Sequence, residues 1–143
     1  MKMSIDEIKK HLAEHGVKAS LPRVKIFEYL NTFRSHPTVD EIYNALSDEL
    51  ITLSKTTVYN TLDLFVKHKL AIQVLIEDNE ARYDSDTSHH GHFKCIKCHT
   101  VYDFNYDLSS ADIPSLEGFT LEEYHTYIKG VCDKCNGNIH WSL

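Results

Sequence analysis

The chain has 143 residues, 42% hydrophobic and 25% charged, with a formal net charge of −6. That balance describes a folded, soluble protein of one ordinary domain or two small ones and excludes a disordered chain. It also excludes nucleic-acid binding through the overall field, so any DNA contact has to come from a local surface.

No apolar run approaches the ~20 residues of a membrane span, and the first residues lack the apolar core of a signal peptide. A cytoplasmic protein with no membrane partner is the expectation. In that reducing compartment, cysteines spaced Cys-x-x-Cys read as metal ligands before disulfides.

Ser4-Ile5-Asp6-Glu7 has the form of a capping box. Ile5, Ile8 and Leu12 follow at helical spacing, and Gly16 stops the helix. Ser20 caps a second helix with Pro22 early in it, where its missing N–H costs nothing. Val24, Ile26, Phe27, Leu30 and Phe33 supply the apolar face. His36-Pro37 breaks the chain, and Thr38-Val39-Asp40-Glu41 opens a third helix with Ile42, Tyr43 and Leu46 inward. Ser54 caps a fourth, from about Lys55 to His68, with Val58, Leu62, Phe65 and Val66 on one side. Residues 71–77 read as a strand, Asp78-Asn79 as a turn and residues 80–84 as the return strand.

Helices closed by a hairpin predict a winged helix-turn-helix over residues 1–84, with the fourth helix as the recognition helix. Its start carries Ser54, Lys55, Thr56, Thr57, Tyr59 and Asn60, groups suited to phosphates and base edges in a major groove. Lys18 and Arg23 add candidate DNA contacts, and the pattern leaves room for Lys9, Lys10, Lys55 and Arg82 to share one face with them. A helical bundle with ordinary polar caps fits the same pattern.

Residues 85–90 read as a linker, and 91–143 as a small α/β domain. His92-Phe93-Lys94-Cys95 alternates like a strand, Val101 to Phe104 forms the next, and residues 108–113 a short helix. A long strand from Gly118 to Val131 leads into the second Cys-x-x-Cys. The two pairs, Cys95 with Cys98 and Cys132 with Cys135, use all four cysteines of the chain. Together they predict one closed, structural Zn²⁺ site, in which metal binding contributes directly to folding.

A second site of imidazoles and carboxylates is suggested by His36, Asp84, His90, His92 and Asp103, donors that suit Fe²⁺, Mn²⁺ or Zn²⁺. His90 and His92 alternate along an extended segment. Ligands drawn from both halves would make metal occupancy a switch. His89 and His99 read as solvent-exposed or secondary ligands, and His11, His15, His68 and His140 as surface residues.

These residues resemble the ferric uptake regulator superfamily, and most closely its peroxide-sensing branch. The resemblance covers nearly the whole chain. It is carried by Leu21-Pro22-Arg23, His36-Pro37-Thr38-Val39-Asp40-Glu41-Ile42-Tyr43, Thr57-Val58-Tyr59-Asn60-Thr61-Leu62, Arg82-Tyr83-Asp84, His90-Gly91-His92, Cys95-x-x-Cys98 and Gly130-Val131-Cys132-x-x-Cys135. It implies an α+β fold, with a winged-helix domain followed by a dimerisation domain that carries the Cys₄ zinc. The implied protein is a homodimeric, metal-dependent transcriptional repressor of double-stranded operator DNA.

The resemblance puts the regulatory Fe²⁺ or Mn²⁺ on His36, Asp84, His90, His92 and Asp103. Asp103, where iron-uptake regulators usually have Glu, and Asn60 point to the peroxide-sensing branch. There, iron-dependent oxidation by peroxide falls on ligand histidines, here His36 and His90. The protein would then take peroxide as a signal, with no other small-molecule substrate, and would not be an enzyme. No cysteine is spare for the sensing site of the zinc-uptake branch. Gly91 stands where some members carry an acid of a further metal site, which argues against a third site on His89 and His125. The competing reading inside the family is an iron-responsive repressor that does not sense peroxide. A zinc hydrolase or deaminase lacks its His-x-Glu and Pro-Cys-x-x-Cys motifs here, and a zinc-ribbon interaction module leaves the winged half unexplained.

Overall fold

The computed structural model describes residues 2–33, 35–77, 80–88, 90–105, 108–122 and 124–137, without the side chains of Ile76, Glu77 and His90. The expected turn at Asp78-Asn79 lies outside the described residues, as do His89 and His140. The chain forms two compact units, Met1–Thr87 and Ser88–Leu143.

The first unit holds helices α1 (Ile5–Glu14), α2 (Leu21–Thr32), α3 (Val39–Leu46) and α4 (Lys55–Lys67) and the antiparallel strands β1 (Ile72–Glu77) and β2 (Glu80–Asp84). Each helix starts where its cap was read. Ser4 and Glu7 form a reciprocal capping box, and the side chains of Ser20, Thr38 and Ser54 accept from the N–H three residues on. The chain leaves α1 at Gly16, whose φ of 79° a side chain would resist. The core is apolar and continuous, with Ile8, Leu12, Phe27, Leu30, Ile42, Val58, Leu62 and Phe65 buried.

Three readings change. Phe33 is 53% exposed, because α2 ends at Thr32 and Phe33 turns extended, its ring tilted against that of Tyr29 instead of joining the core. Tyr43 is only half-buried. His11, His15 and His68 are half-buried, not surface residues. His15 Nδ1 donates to the His11 carbonyl (2.9 Å), His68 Nδ1 donates to the His15 carbonyl (2.8 Å), and the His11 ring packs on Phe27. The pair His15–His68 thus ties the end of α4 to the end of α1.

The second unit is built on β3 (His90–Cys95), with β4 (Val101–Asn105) antiparallel on one side and β5 (Tyr127–Gly130) parallel on the other. The expected linker through residue 90 is shorter, because His90 already pairs with Asn105. The expected strand from Gly118 to Val131 shrinks to four residues. A strand needs a neighbour for its ladder, and six-residue β3 offers β5 partners only from His92 to Cys95. Where one short helix was expected, two 3₁₀ turns form at Ser110–Asp112 and Pro114–Leu116. No helix among the described residues is long and apolar enough to cross a membrane.

Candidate metal centres

The four cysteines meet at the ends of strands. Cys95 closes β3, Cys98 follows after a tight turn, and Cys132 and Cys135 follow β5. Their sulfurs lie within 4.8 Å of one another. Cys98 and Cys132 sulfurs are 3.8 Å apart, about the edge of a tetrahedron with the ~2.3 Å arms of a zinc–thiolate site. Backbone N–H groups of Cys98 and Cys132 donate to the Cys95 sulfur, each at 3.4 Å.

The Cys98 N–H above all, with those of Cys132 and Lys97, holds the Cys95 thiol down to about 5 against burial. The Tyr102 hydroxyl lowers Cys132 by donating to it, and Tyr102 is itself pushed up. Cys135 is pushed up to about 12, first by its hydrogen bond to Cys132 and then by that to Cys95. Thiolates this close repel, and a divalent cation among them turns the repulsion into attraction. The donor set suits Zn²⁺ in a closed, four-coordinate site.

The His/Asp candidates fall into two pairs, one in each unit. In the first unit His36 Nε2 faces Asp84 Oδ2 at 3.3 Å, and both side chains are buried. Asp84 ends β2, where its other oxygen accepts the Asp86 N–H at 2.9 Å. In the second unit β3–β4 register sets His92 opposite Asp103, with His92 Nε2 3.2 Å from Asp103 Oδ1. The parallel register brings Tyr127 beside His92, rings stacked at 6.0 Å, with His125 stacked on the far face of Tyr127 at 6.2 Å. Imidazole–carboxylate pairs suit a hard or borderline divalent cation, and the first pair is buried whereas Asp103 of the second is exposed. His90 opens β3 by its backbone, and its side chain lies outside the described residues. An acid at Gly91 would require the Phe104 ring on β4 to move, since a Cβ there would collide with it.

Of the DNA candidates, Lys18, Arg23, Thr57 and Asn60 line one groove of about 410 Å³ between the start of α2 and α4. Arg23 Nη1 donates to the Lys18 carbonyl at 2.8 Å. Thr56 and Tyr59 are exposed on α4, and Ser54 is engaged as its cap. Lys55 reaches Asp40 at 3.2 Å and lies over the Tyr43 ring. Such an exposed pair is worth at most ~1 kcal/mol and yields easily to a phosphate. The Arg82 guanidinium is engaged by the His36 carbonyl (3.2 Å) and faces Glu41 (3.8 Å). Sequence reasoning missed Tyr102 and Tyr127. Only strand register places them, although aromatics beside ligand residues were visible.

The sequence profile of the ferric uptake regulator family matches residues 14–129. The chain belongs to the ferric uptake regulator family. The peroxide operon regulator of Bacillus subtilis (strain 168) is 34% identical over 135 residues, 92% of this chain and 93% of that protein. The crystal structure of the Vibrio cholerae ferric uptake regulator is similar at a TM-score of 0.73 and 26% identity, covering 87% of this chain and 98% of that one. A Streptococcus pyogenes PerR structure, described as a basis for peroxide sensing, is similar at a TM-score of 0.53 and 25% identity, covering 94% of this chain and 95% of that one. Within the family the α+β reading of this chain stands: a winged helix-turn-helix followed by a small α/β unit with a tetracysteine cluster.

Proposed function

We propose that the protein is a metal-dependent, peroxide-responsive transcriptional repressor of this family, binding operator DNA as a homodimer in the cytoplasm, where that DNA lies. Zn²⁺ on Cys95, Cys98, Cys132 and Cys135 serves folding. Fe²⁺ or Mn²⁺ on His36, Asp84, His90, His92 and Asp103 serves regulation. The observation that carries the reading is chemical. Two imidazole–carboxylate pairs, His36 with Asp84 (both buried) and His92 with Asp103 (the imidazole buried, the carboxylate exposed), contain no thiolate, so the chain offers a second donor set of a different class. The similarity to proteins named as peroxide regulators supports the branch.

The residues divide the work. Asp84 and Asp103 supply negative charge to a cation, and His36, His90 and His92 supply neutral nitrogen donors. Bound Fe²⁺ would activate H₂O₂ for this oxidation, which Mn²⁺ does not readily do, while the two electrons that reduce the peroxide would come from the imidazole ring. The ring of His36 or His90 takes one oxygen atom from H₂O₂, and the other leaves as water. The altered imidazole would be a poorer ligand, so His36 or His90 would no longer hold the metal and the DNA-binding form would be lost. Each ring reacts once, so this is signalling and not turnover. Ser54, Lys55, Thr56, Thr57, Tyr59 and Asn60 on α4, with Lys18 and Arg23 beside the groove, make the DNA contacts.

The test is the mass of the intact, zinc-loaded protein after anaerobic Fe²⁺ loading and a brief dose of H₂O₂, beside a Mn²⁺ control. The expected result is one added oxygen in the iron form alone, mapped to His36 or His90. No mass change, with metal still driving DNA binding, would make the protein an iron-responsive repressor that does not sense peroxide.

A further inference from the structure

His36 has a φ of 57°, in the left-handed region that residues with a side chain rarely adopt. The following Pro37 adds its own restriction, favouring extended backbone at the residue before it. Such a conformation persists only where the surroundings hold it. Here the hold comes from β2. The Tyr83 N–H donates to the Pro37 carbonyl at 3.0 Å, and Thr38 bridges Arg82 as an isolated antiparallel pair. Arg82 then reaches back 46 positions to donate from Nη1 to the carbonyl of His36 itself, at 3.2 Å.

The same nitrogen lies 3.8 Å from Glu41 Oε1. Glu41 sits in the first turn of α3, the opening helix of the helix-turn-helix, where its N–H is capped by Thr38. The Arg82 side chain is 18% exposed, so these contacts are partly shielded from water.

We propose that Arg82 is a positioning residue, which clamps the left-handed backbone that aims the His36 imidazole at Asp84 and ties it to the first turn of α3 through Glu41. The proposal rests on the reading of His36 and Asp84 as regulatory-metal ligands. The guanidinium suits this because its Nη1 carries two N–H groups, one donated to the carbonyl and the other available to face the carboxylate. A change in how His36 is held is then felt at α3, and a change at α3 is felt by the metal.

The experiment uses full-length, zinc-loaded protein and reads Mn²⁺ affinity by calorimetry, with zinc content and unfolding midpoint measured on each variant. Arg82→Gln is expected to weaken Mn²⁺ binding about tenfold, the scale of one lost charge-assisted hydrogen bond, with zinc content unchanged. Arg82→Lys recovers part of the loss, because an ammonium still donates to one of the two partners. Glu41→Gln weakens Mn²⁺ binding by a smaller factor and adds nothing in the Arg82→Gln background, since both act through one contact.

His36→Ala is the reference arm. Wild-type Mn²⁺ affinity in Arg82→Gln, with affinity lost in His36→Ala, overturns the role of Arg82 and leaves the ligand assignment standing. Wild-type affinity in His36→Ala overturns the ligand assignment itself. Should Arg82→Gln fail to fold, Glu41→Gln decides alone, and wild-type affinity there overturns the clamp.

Discussion

His36 Nε2 stands 3.3 Å from Asp84 Oδ2, and each side chain is 2% exposed. The Asp86 N–H takes the other Asp84 oxygen, so the chain itself aims the carboxylate at the imidazole. Holding a carboxylate in such a buried place costs desolvation energy, which a bound cation offsets. Asp84→Asn keeps the shape and removes the charge. It should weaken Mn²⁺ binding by on the order of a hundredfold, the upper end of what losing a supporting partner costs. Zinc content should stay the same. Calorimetric titration of the zinc-loaded variant checks both.

The tetracysteine cluster makes a prediction of a different kind. Cys95 is fully buried and receives the N–H groups of both Cys98 and Cys132. Cys95→Ser should release zinc and unfold the second unit, because it removes much of ~10 kcal/mol or more of binding energy that is also folding energy. The helices of the first unit carry their own core and should persist. Zinc analysis with amide exchange would show it. A folded, zinc-free Cys95→Ser protein would contradict the structural role.

Asp103 faces His92 from the neighbouring strand at 3.2 Å. Asp103→Glu adds one methylene and displaces the carboxylate without changing its charge. Metal-dependent DNA binding should survive, while oxygen uptake by the iron form should fall. Mass spectrometry beside a gel-shift series separates the two. Equal loss in both would show that Asp103 does not discriminate between sensing and binding.

His11 predicts a pH effect. Its pKa is lowered from 6.5, first by burial and then by the neighbouring His15, with Glu14 opposing. The folded state thus favours the neutral ring, and the unfolded state binds the proton more readily. This contribution to stability is complete above 6.5 and is lost as pH falls through the depressed folded value. His11→Gln should flatten that part of the profile. Comparing the unfolding midpoints of the two proteins across the acid range removes effects they share, including release of metal by other groups.

The sequence by itself determined what is local. Ser4, Ser20, Thr38 and Ser54 cap helices because their side chains need only reach an N–H three residues on. Gly16 ends α1 through its own φ, and the cysteine pairs announce a metal by spacing alone. The hairpin of β1 and β2 was legible because alternation and a polar turn are short-range signals.

Tertiary structure alone decided what depends on register and on distant partners. It set His92 opposite Asp103, stacked Tyr127 on His92, and cut the expected long strand to the four residues that β3 can pair. It set the Arg82 guanidinium on the His36 carbonyl, and drew His15 and His68 inward to join two helix ends. Such contacts join residues far apart in the chain, and their energy appears only once the intervening loops have closed, so no local pattern of residues encodes them.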